Sequence, residues 1–262
     1  MLLAGFPCQP FSHAGLKLGI DDTRGTLFYN IAKILERKRP RFALLENVKG
    51  LISHDKGHTL RTILQTLTDI GYKCSISKDV IENGNLKQIQ GEAKKMVLKS
   101  KDFGVPQNRQ RIYIVLWHES VDSDFEYPTP PMLRTRVGDI LEKDPDSKYT
   151  ISDRLWAGHR RRKAENKKNG KGFGYGMVTP DSEYTNTISA RYYKDGSEIL
   201  VAQEGQNPRR LTPREAARIQ GFPDEFIANP SNTQAYKQFG NSVSVPVIEA
   251  IAKNIEELYK GE

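Results

Sequence analysis

Residues 41–50 read RFALLENVKG, an apolar run that stops at a glutamate. The run has the length and composition of a strand buried in a sheet. Upstream, RGTLFYNIAKILERKRP (24–40) places apolar residues at helical spacing and stops before Pro40. Downstream, HTLRTILQTLTDIGY (58–72) is an amphipathic helix pattern ended by Gly71. A buried strand between two helices is typical of an α/β sheet.

Further from this centre, MLLAGF (1–6), KCSISKDVI (73–81) and RIYIVLW (111–117) are strand-like. The alternation predicts a mostly parallel sheet with helices on its faces. After the proline-rich EYPTPPML (126–133) we expect an irregular basic insertion and a hairpin around Asp195-Gly196. The pattern then predicts a helix with Thr212 as N-cap, Pro213 first and Glu215 third, and a closing helix in SVPVIEAIAKNIEELYK (244–260).

The net charge of +8 is concentrated in one segment. Residues 154–171 contain four Arg and four Lys against one Glu, so the rest of the chain is close to neutral. A solvated helix face is one interpretation, but this concentration favours a polyanionic partner. Two cysteines exclude a disulfide framework, and a mean hydropathy of −0.61 without a long apolar run gives no membrane span or signal peptide. We expect a cytoplasmic protein with no membrane partner and no metal site.

Three kinds of polar residue accompany the strands. Cys8 lies in the turn GFPCQP, at a strand end where loop amides stabilise a thiolate, although a lone cysteine is also often a small buried hydrophobe. Glu46 ends a buried strand, where partial desolvation favours a proton donor over an ordinary loop carboxylate. Arg109 and Arg111 occupy alternate positions entering a strand, so we expect their guanidinium groups to project the same way. Cys74, within a strand pattern, is interpreted as structural.

Six motifs, in order and over nearly the whole chain, together resemble those of the DNA C5-cytosine methyltransferases of bacterial restriction-modification systems. They are GFPCQPFS (5–12), DTRGTLF (22–28), ENVKG (46–50), QNRQR (107–111), RRLTPREAARIQGFP (209–223) and AYKQFGNSVSVPV (235–247). The resemblance implies an α/β, Rossmann-like sheet that uses S-adenosylmethionine, with helices on both faces, plus a small irregular β-containing target-recognition domain. It divides the chain into a catalytic part, 1–145 and 236–262, and a target-recognition part with its hinge, 146–235.

The resemblance also assigns roles to the polar residues. Cys8 is then the thiolate that adds to carbon 6 of cytosine, since carbon 5 is a poor nucleophile until the aromaticity of the ring is broken. Glu46 stabilises the adduct at ring nitrogen 3, and Arg111, with Arg109 beside it, contacts the O2 carbonyl. The substrate is double-stranded DNA, and the cytosine must leave the duplex to react.

For S-adenosylmethionine the resemblance leaves five residues: Pro7, Leu27, Asn241, Ser242 and Val243. The family's Gly-rich loop and the following acidic residue normally precede the nucleophile, whereas seven residues precede Cys8 here. We therefore expect an N-terminally truncated or split enzyme that needs a missing N-terminal segment or a second polypeptide. The turn of Cys8 comes early in the chain, on this interpretation, because the first strands of the fold are missing.

DNA contacts are expected mainly from the basic segment, where cations neutralise phosphates, with bases read by loops around GKGFGYG (170–176) and SARYYKDGS (189–197). The residues we assign to DNA are Ser12, Arg24, Arg160, Arg161, Arg162, Lys163, Lys171 and Arg191, and Lys167 and Lys168 belong to the same basic run. DNA binding would place the protein with the bacterial nucleoid.

Two other functions stay open. A catalytically inactive DNA-binding remnant would keep the basic segment without the cofactor loop. A cysteine hydrolase would need a histidine base beside Cys8; His13, His54 and His58 exist, but no oxyanion or triad pattern accompanies them.

Overall fold

The computed structural model describes residues 1–6 and 26–260, which form two compact units. The first unit comprises Met1–Leu98, Gln110–Thr129 and Ala250–Glu262, and the second comprises Lys99–Arg109 and Pro130–Glu249. The division into catalytic and target-recognition parts concerns function and stays a prediction.

The first unit contains a mixed sheet. Its strands are β1 (Leu2–Gly5), β2 (Phe42–Val48), β3 (Tyr72–Lys73), β4 (Val97–Lys99) and β5 (Gln110–His118). The strand order is β1-β2-β5-β3, and β4 pairs with β5. β1 runs parallel to β2, but β5 runs antiparallel to both β2 and β3. β1, β2 and β3 therefore run in one direction and β5 runs against them, so the prediction of a mostly parallel sheet is confirmed for three of the four strands on this path and β5 is the exception.

Helices of the first unit bury their apolar faces with one side of this sheet. They are α1 (Thr26–Lys38), α2 (His58–Asp69), α3 (Lys78–Asn83) and α4 (Leu86–Glu92). Leu35 of α1 and Leu60 of α2 belong to the same buried cluster as Leu45 and Ile114 of the sheet. The predicted strand 73–81 is wrong beyond residue 73, since the Ser77 hydroxyl accepts a hydrogen bond from Val80 N at 3.3 Å and so begins α3.

The second unit is built from short elements around its own core. They are α5 (Asp153–Lys168), β6 (Met177–Val178), α6 (Tyr192–Asp195), β7 (Leu200–Val201), α7 (Pro213–Arg218) and α8 (Asn232–Asn241). Ile188, Tyr192, Leu211 and Tyr236 are among its buried residues. The final helix, α9, is Val245–Lys260, as the sequence predicts.

Of three local predictions for the second unit, one is confirmed and two are wrong. The cap of α7 is confirmed, because the Thr212 hydroxyl accepts from Glu215 N at 3.1 Å while Thr212 N donates to Glu215 Oε2 at 2.8 Å. The hairpin at Asp195-Gly196 is wrong: Asp195 ends α6, Gly196 follows at φ 63°, and β7 pairs in parallel with β6. A glycine after a polar residue is as compatible with the end of a helix as with the turn of a hairpin. The prediction of an irregular basic insertion is also wrong, because this segment forms the 16-residue helix α5, which Ser152 caps.

Candidate active site

Glu46 and Arg111 form an ion pair in the first unit. Arg111 Nε lies 3.0 Å from Glu46 Oε1, and the two side chains are 17% and 18% exposed. The antiparallel register sets Glu46 opposite Tyr113 and Val48 opposite Arg111, so all four lie on one face and the ion pair is diagonal. Two residues 65 positions apart in sequence are thus brought together by the β2–β5 ladder.

The end of β1 lies beside this pair. Gly5 is the register partner of Glu46, and Phe6 N donates to the Glu46 carbonyl at 3.4 Å. A Cβ at Gly5 would stand 3.7 Å from Glu46 Oε2, so the strand passes close to the carboxylate. Cys8 follows Phe6 by two residues in the sequence. Cys8 lies outside the described residues, as do Pro7, Ser12 and Arg24.

Arg109 has a different partner from Arg111. Its side chain is 3% exposed, and its Nη2 donates to the Ser242 carbonyl at 2.7 Å within the second unit. Arg109 directly precedes β5, which begins at Gln110, and the two guanidinium groups make different contacts. A role for Arg109 beside the O2 carbonyl stays a prediction.

Four of the residues expected to bind the cofactor are described. Leu27, on α1 of the first unit, is 55% exposed. In the second unit, Asn241 ends α8 and is exposed, while Ser242 and Val243 are half-buried in the link to α9. The Ser242 hydroxyl donates to the Phe239 carbonyl at 2.7 Å.

The predicted DNA-binding cations of α5 divide into two groups by their contacts. Arg162 donates to Asp195 Oδ2 at 3.1 Å and to His159 Nδ1 at 2.7 Å, and Lys163 Nζ lies 4.0 Å from the centre of the Tyr175 ring. Both side chains therefore have partners inside the protein. Arg160 lies over Trp156 at 5.5 Å, and Arg161 forms an exposed pair with Glu165 at 3.8 Å.

Two predicted DNA residues lie in the segments expected to read bases. Lys171 is exposed beyond the end of α5. Arg191 is exposed at the start of α6, and its backbone N donates to the Ser189 hydroxyl at 3.1 Å.

Sequence reasoning missed the residues that hold α5. His159 is 1% exposed, its Nε2 donates to the Asp195 carbonyl at 3.1 Å, and the Arg162 contact then fixes Nδ1 as the acceptor. Burial lowers the pKa of His159, which favours the neutral ring that this arrangement requires. The signal was present in the spacing of Trp156, His159 and Lys163, which one helix face carries.

Cys74 is a buried thiol, as predicted. It is 7% exposed, and its Sγ donates to the Ile76 carbonyl at 3.3 Å. Burial raises its pKa to about 11, so it is protonated at neutral pH. Among the described residues, no helix has the length and apolarity to cross a membrane.

Comparisons with known proteins give consistent matches. A family model described as C-5 cytosine-specific DNA methylase matches residues 1–257. Type II methyltransferase M1.ScrFI of Lactococcus lactis subsp. cremoris is 58% identical over 98% of this chain, which spans 62% of that protein. Type II methyltransferase M.NlaX of Neisseria lactamica is also 58% identical, over 98% of this chain and 75% of its own length. The S. pombe Dnmt2 methyltransferase structure shares the fold, with a TM-score of 0.65 at 20% identity over 98% of this chain and 77% of its own.

Proposed function

Because this chain belongs to the C-5 cytosine-specific DNA methylase family, we propose that it methylates carbon 5 of a cytosine flipped out of duplex DNA. The observation that carries the proposal is the 3.0 Å pair of Glu46 and Arg111, beside the strand that leads to Cys8. The pair unites an acid and a planar cation on one rigid sheet face. These groups suit a cytosine ring, which offers a basic nitrogen next to a carbonyl oxygen.

The proposed chemistry begins with the Cys8 thiolate. Its sulfur bonds to carbon 6, and the electron pair of the C5–C6 double bond moves toward carbon 5 and the ring. Protonated Glu46 gives its proton to nitrogen 3, which neutralises the charge that the ring acquires and leaves a carboxylate that pairs with Arg111. After carbon 5 is methylated, a base removes its proton, the S–C6 bond breaks with its electron pair on sulfur, nitrogen 3 returns its proton to Glu46, and the thiolate is regenerated.

Arg111 has two tasks in this proposal. Its guanidinium is a fixed fork of donors, so one N–H can hold Glu46 while others contact the O2 carbonyl of the base. Donors fixed by a sheet before the reaction stabilise developing charge without reorganising. The diagonal contact across β2 and β5 supports this assignment, since both side chains come from the most extensively paired strands of the sheet.

We propose S-adenosylmethionine as the cofactor, held by Pro7, Leu27, Asn241, Ser242 and Val243. The four described residues fit such a ligand, because they present apolar carbon and polar side chains at exposed or half-buried positions. When bound, the cofactor supplies an electrophilic methyl group.

We also propose that activity needs a further polypeptide segment bearing the Gly-rich cofactor loop, in the same protein or as a second chain. Two features support this. The chain spans 62% of M1.ScrFI and 63% of M.SsoII from Shigella sonnei. Among the described strands β1 pairs only with β2, and its Leu3 is 63% exposed, which suits pairing with another strand.

Covalent trapping tests the proposed function. The chain is supplied with the N-terminal segment of a longer relative, with S-adenosylmethionine and with duplex carrying 5-fluorocytosine at the target. Once carbon 5 is methylated, fluorine cannot leave as a cation, so the elimination stalls with sulfur bonded to carbon 6. We expect a protein–DNA complex that survives denaturation, and we expect Cys8→Ser to abolish it, because a hydroxyl is scarcely ionised at neutral pH.

Two variants serve as controls. Cys74→Ser should trap like the wild type, since the buried thiol takes no part. Glu46→Gln should slow trapping without abolishing it, because the amide can hydrogen-bond the ring but cannot give up a proton readily. Equal methyl transfer by Cys8→Ser and wild type would refute the mechanism. Duplex binding without any methyl transfer would instead indicate a DNA-binding remnant.

A further inference from the structure

One side of α5 carries the contacts of Trp156, His159, Arg162 and Lys163. Trp156 packs edge-on against Tyr175 with ring centres 5.0 Å apart, and His159 is buried with its Nε2 on the Asp195 carbonyl. One turn later Arg162 contacts Asp195, and Lys163 lies over the Tyr175 ring. Spacings of three and four residues put these side chains on one face, which attaches the helix to the second unit.

The opposite face carries a line of cations. A helix turns by about 100° per residue, so residues seven apart are nearly aligned. Arg154, Arg161 and Lys168 are spaced in this way and are all exposed. On a helical projection they lie opposite His159, with the exposed alanines Ala157 and Ala164 between them. Within α5 the small side chains of these alanines lie beside the line, and the neighbouring Glu165 forms an exposed pair with Arg161 at 3.8 Å.

We infer that Arg154, Arg161 and Lys168 form a phosphate-contacting stripe that lies along duplex DNA, whereas Arg162 and Lys163 serve to hold α5 in place. The assignment rests on the proposed function for its partner. It replaces part of the DNA-binding set expected from sequence, in which all of Arg160 to Lys163 were treated alike.

The geometry favours an extended polyanion over a small anion. At 1.5 Å per residue the three cations are about 10 Å apart and span about 20 Å. A nucleotide or inorganic phosphate would reach one of them, whereas duplex DNA presents a charge about every 1.7 Å along its axis. The segment that includes α5 also holds nearly all of the net charge of the chain, four Arg and four Lys against one Glu.

The salt dependence of duplex binding tests the stripe. Each phosphate contact contributes about 0.9 to the slope of log affinity against log salt, so the triple variant Arg154→Gln, Arg161→Gln, Lys168→Gln should flatten the slope by about 2.7. Glutamine preserves helix propensity, and circular dichroism checks that α5 remains folded. The measurement uses the full chain and one short duplex over a range of salt concentrations.

A second triple variant controls for net charge. Lys78→Gln, Lys87→Gln and Lys94→Gln remove the same charge from exposed positions on the helical segments of the first unit, and this variant should keep the wild-type slope. The stripe is overturned if its variant loses less than about 0.9 of slope, the value of one contact, or if the control flattens equally. If the wild type binds and traps DNA under these outcomes, only the stripe is refuted. If the wild type binds no duplex at all, the proposed function falls and the stripe with it.

Discussion

At the scale of single residues, polar side chains at the end of β2 and just after it make specific contacts. Glu46 pairs with Arg111 at 3.0 Å, and Asn47 Oδ1 accepts from Val48 N at 2.7 Å. Lys49 Nζ donates to Gln110 Oε1 at 2.9 Å, which ties the loop after β2 to the start of β5. The acid is therefore presented on a fixed backbone, a condition for positioning a proton at one atom of a ring.

Arg111→Lys tests whether the guanidinium fork matters beyond its charge. Lysine keeps the positive charge but cannot hold Glu46 and a carbonyl oxygen in one plane. With the N-terminal segment of a longer relative supplied, losing one fixed donor should lower kcat for methyl transfer by about 10²-fold. Duplex affinity should change by no more than about twofold, because the lost interaction acts in the transition state.

The matched control is Arg136→Lys, at an exposed arginine whose 3.8 Å pair with Asp181 is solvated. It should leave both kcat and affinity unchanged. A weaker duplex affinity with unaltered kcat in Arg111→Lys would mean that Arg111 binds DNA and takes no part in catalysis.

Cys74 predicts a pH dependence of stability. Its pKa rises from 9.0 to about 11 on folding because the thiol is buried. The unfolded thiol ionises first, so this contribution to stability is complete below pH 9 and is lost as the pH rises toward 11. At pH 10 the loss is about 1.4 kcal/mol, one unit of pKa shift.

Urea unfolding of the wild type and Cys74→Ser at pH 7 to 10 measures this loss. Serine does not titrate in that range, so the difference in unfolding free energy between the two proteins should shrink as the pH rises. A difference that stays constant with pH would show that the thiol ionises equally in both states.

At the scale of elements, two glycines have opposite structural roles. Gly158 lies within α5, where an added Cβ meets nothing within 4 Å. Gly240 lies within α8, where an added Cβ would stand 2.2 Å from the Ser189 carbonyl carbon. Gly158 lowers the helix propensity of α5 without any packing reason, whereas Gly240 allows α8 to approach the segment before α6.

Alanine at each position should therefore act in opposite directions. Gly158→Ala should raise the unfolding free energy by about 1 kcal/mol, the difference in helix propensity. Gly240→Ala should lower it by about 1–3 kcal/mol, because the backbones must separate. Urea denaturation of both variants is the measurement, and stabilisation by Gly240→Ala would contradict the close approach of α8.

At the scale of the whole molecule, five residues are assigned to the cofactor, and the Gly-rich loop of the family is not recognisable in the 262 residues. Binding of S-adenosylmethionine by this chain should then rest on few contacts.

We expect the isolated chain to bind S-adenosylmethionine with a Kd weaker than about 1 μM, short of about −8 kcal/mol. Isothermal titration calorimetry measures it, and addition of the N-terminal segment of a longer relative should tighten it. A micromolar or tighter Kd for the pure chain would show that these residues suffice.

The sequence by itself determined the regular elements that local signals specify: β1, β2 and β5 from their apolar runs, α1, α2 and α9 from helical periodicity, and α7 from its cap. It also predicted, through motif order, which family the chain belongs to. Each of these depends on residues close together in the chain, so composition and spacing contain the information.

Only the tertiary structure decided the rest. The polarity of β5, and with it the contact of Glu46 with Arg111, depends on how the chain returns to the sheet across residues 74–109. The contact that Arg109 makes and the division of α5 into an attached face and an exposed face depend on partners such as Ser242, Tyr175 and Asp195. Those partners are distant in sequence, so no local pattern of residues specifies which of them will come into contact.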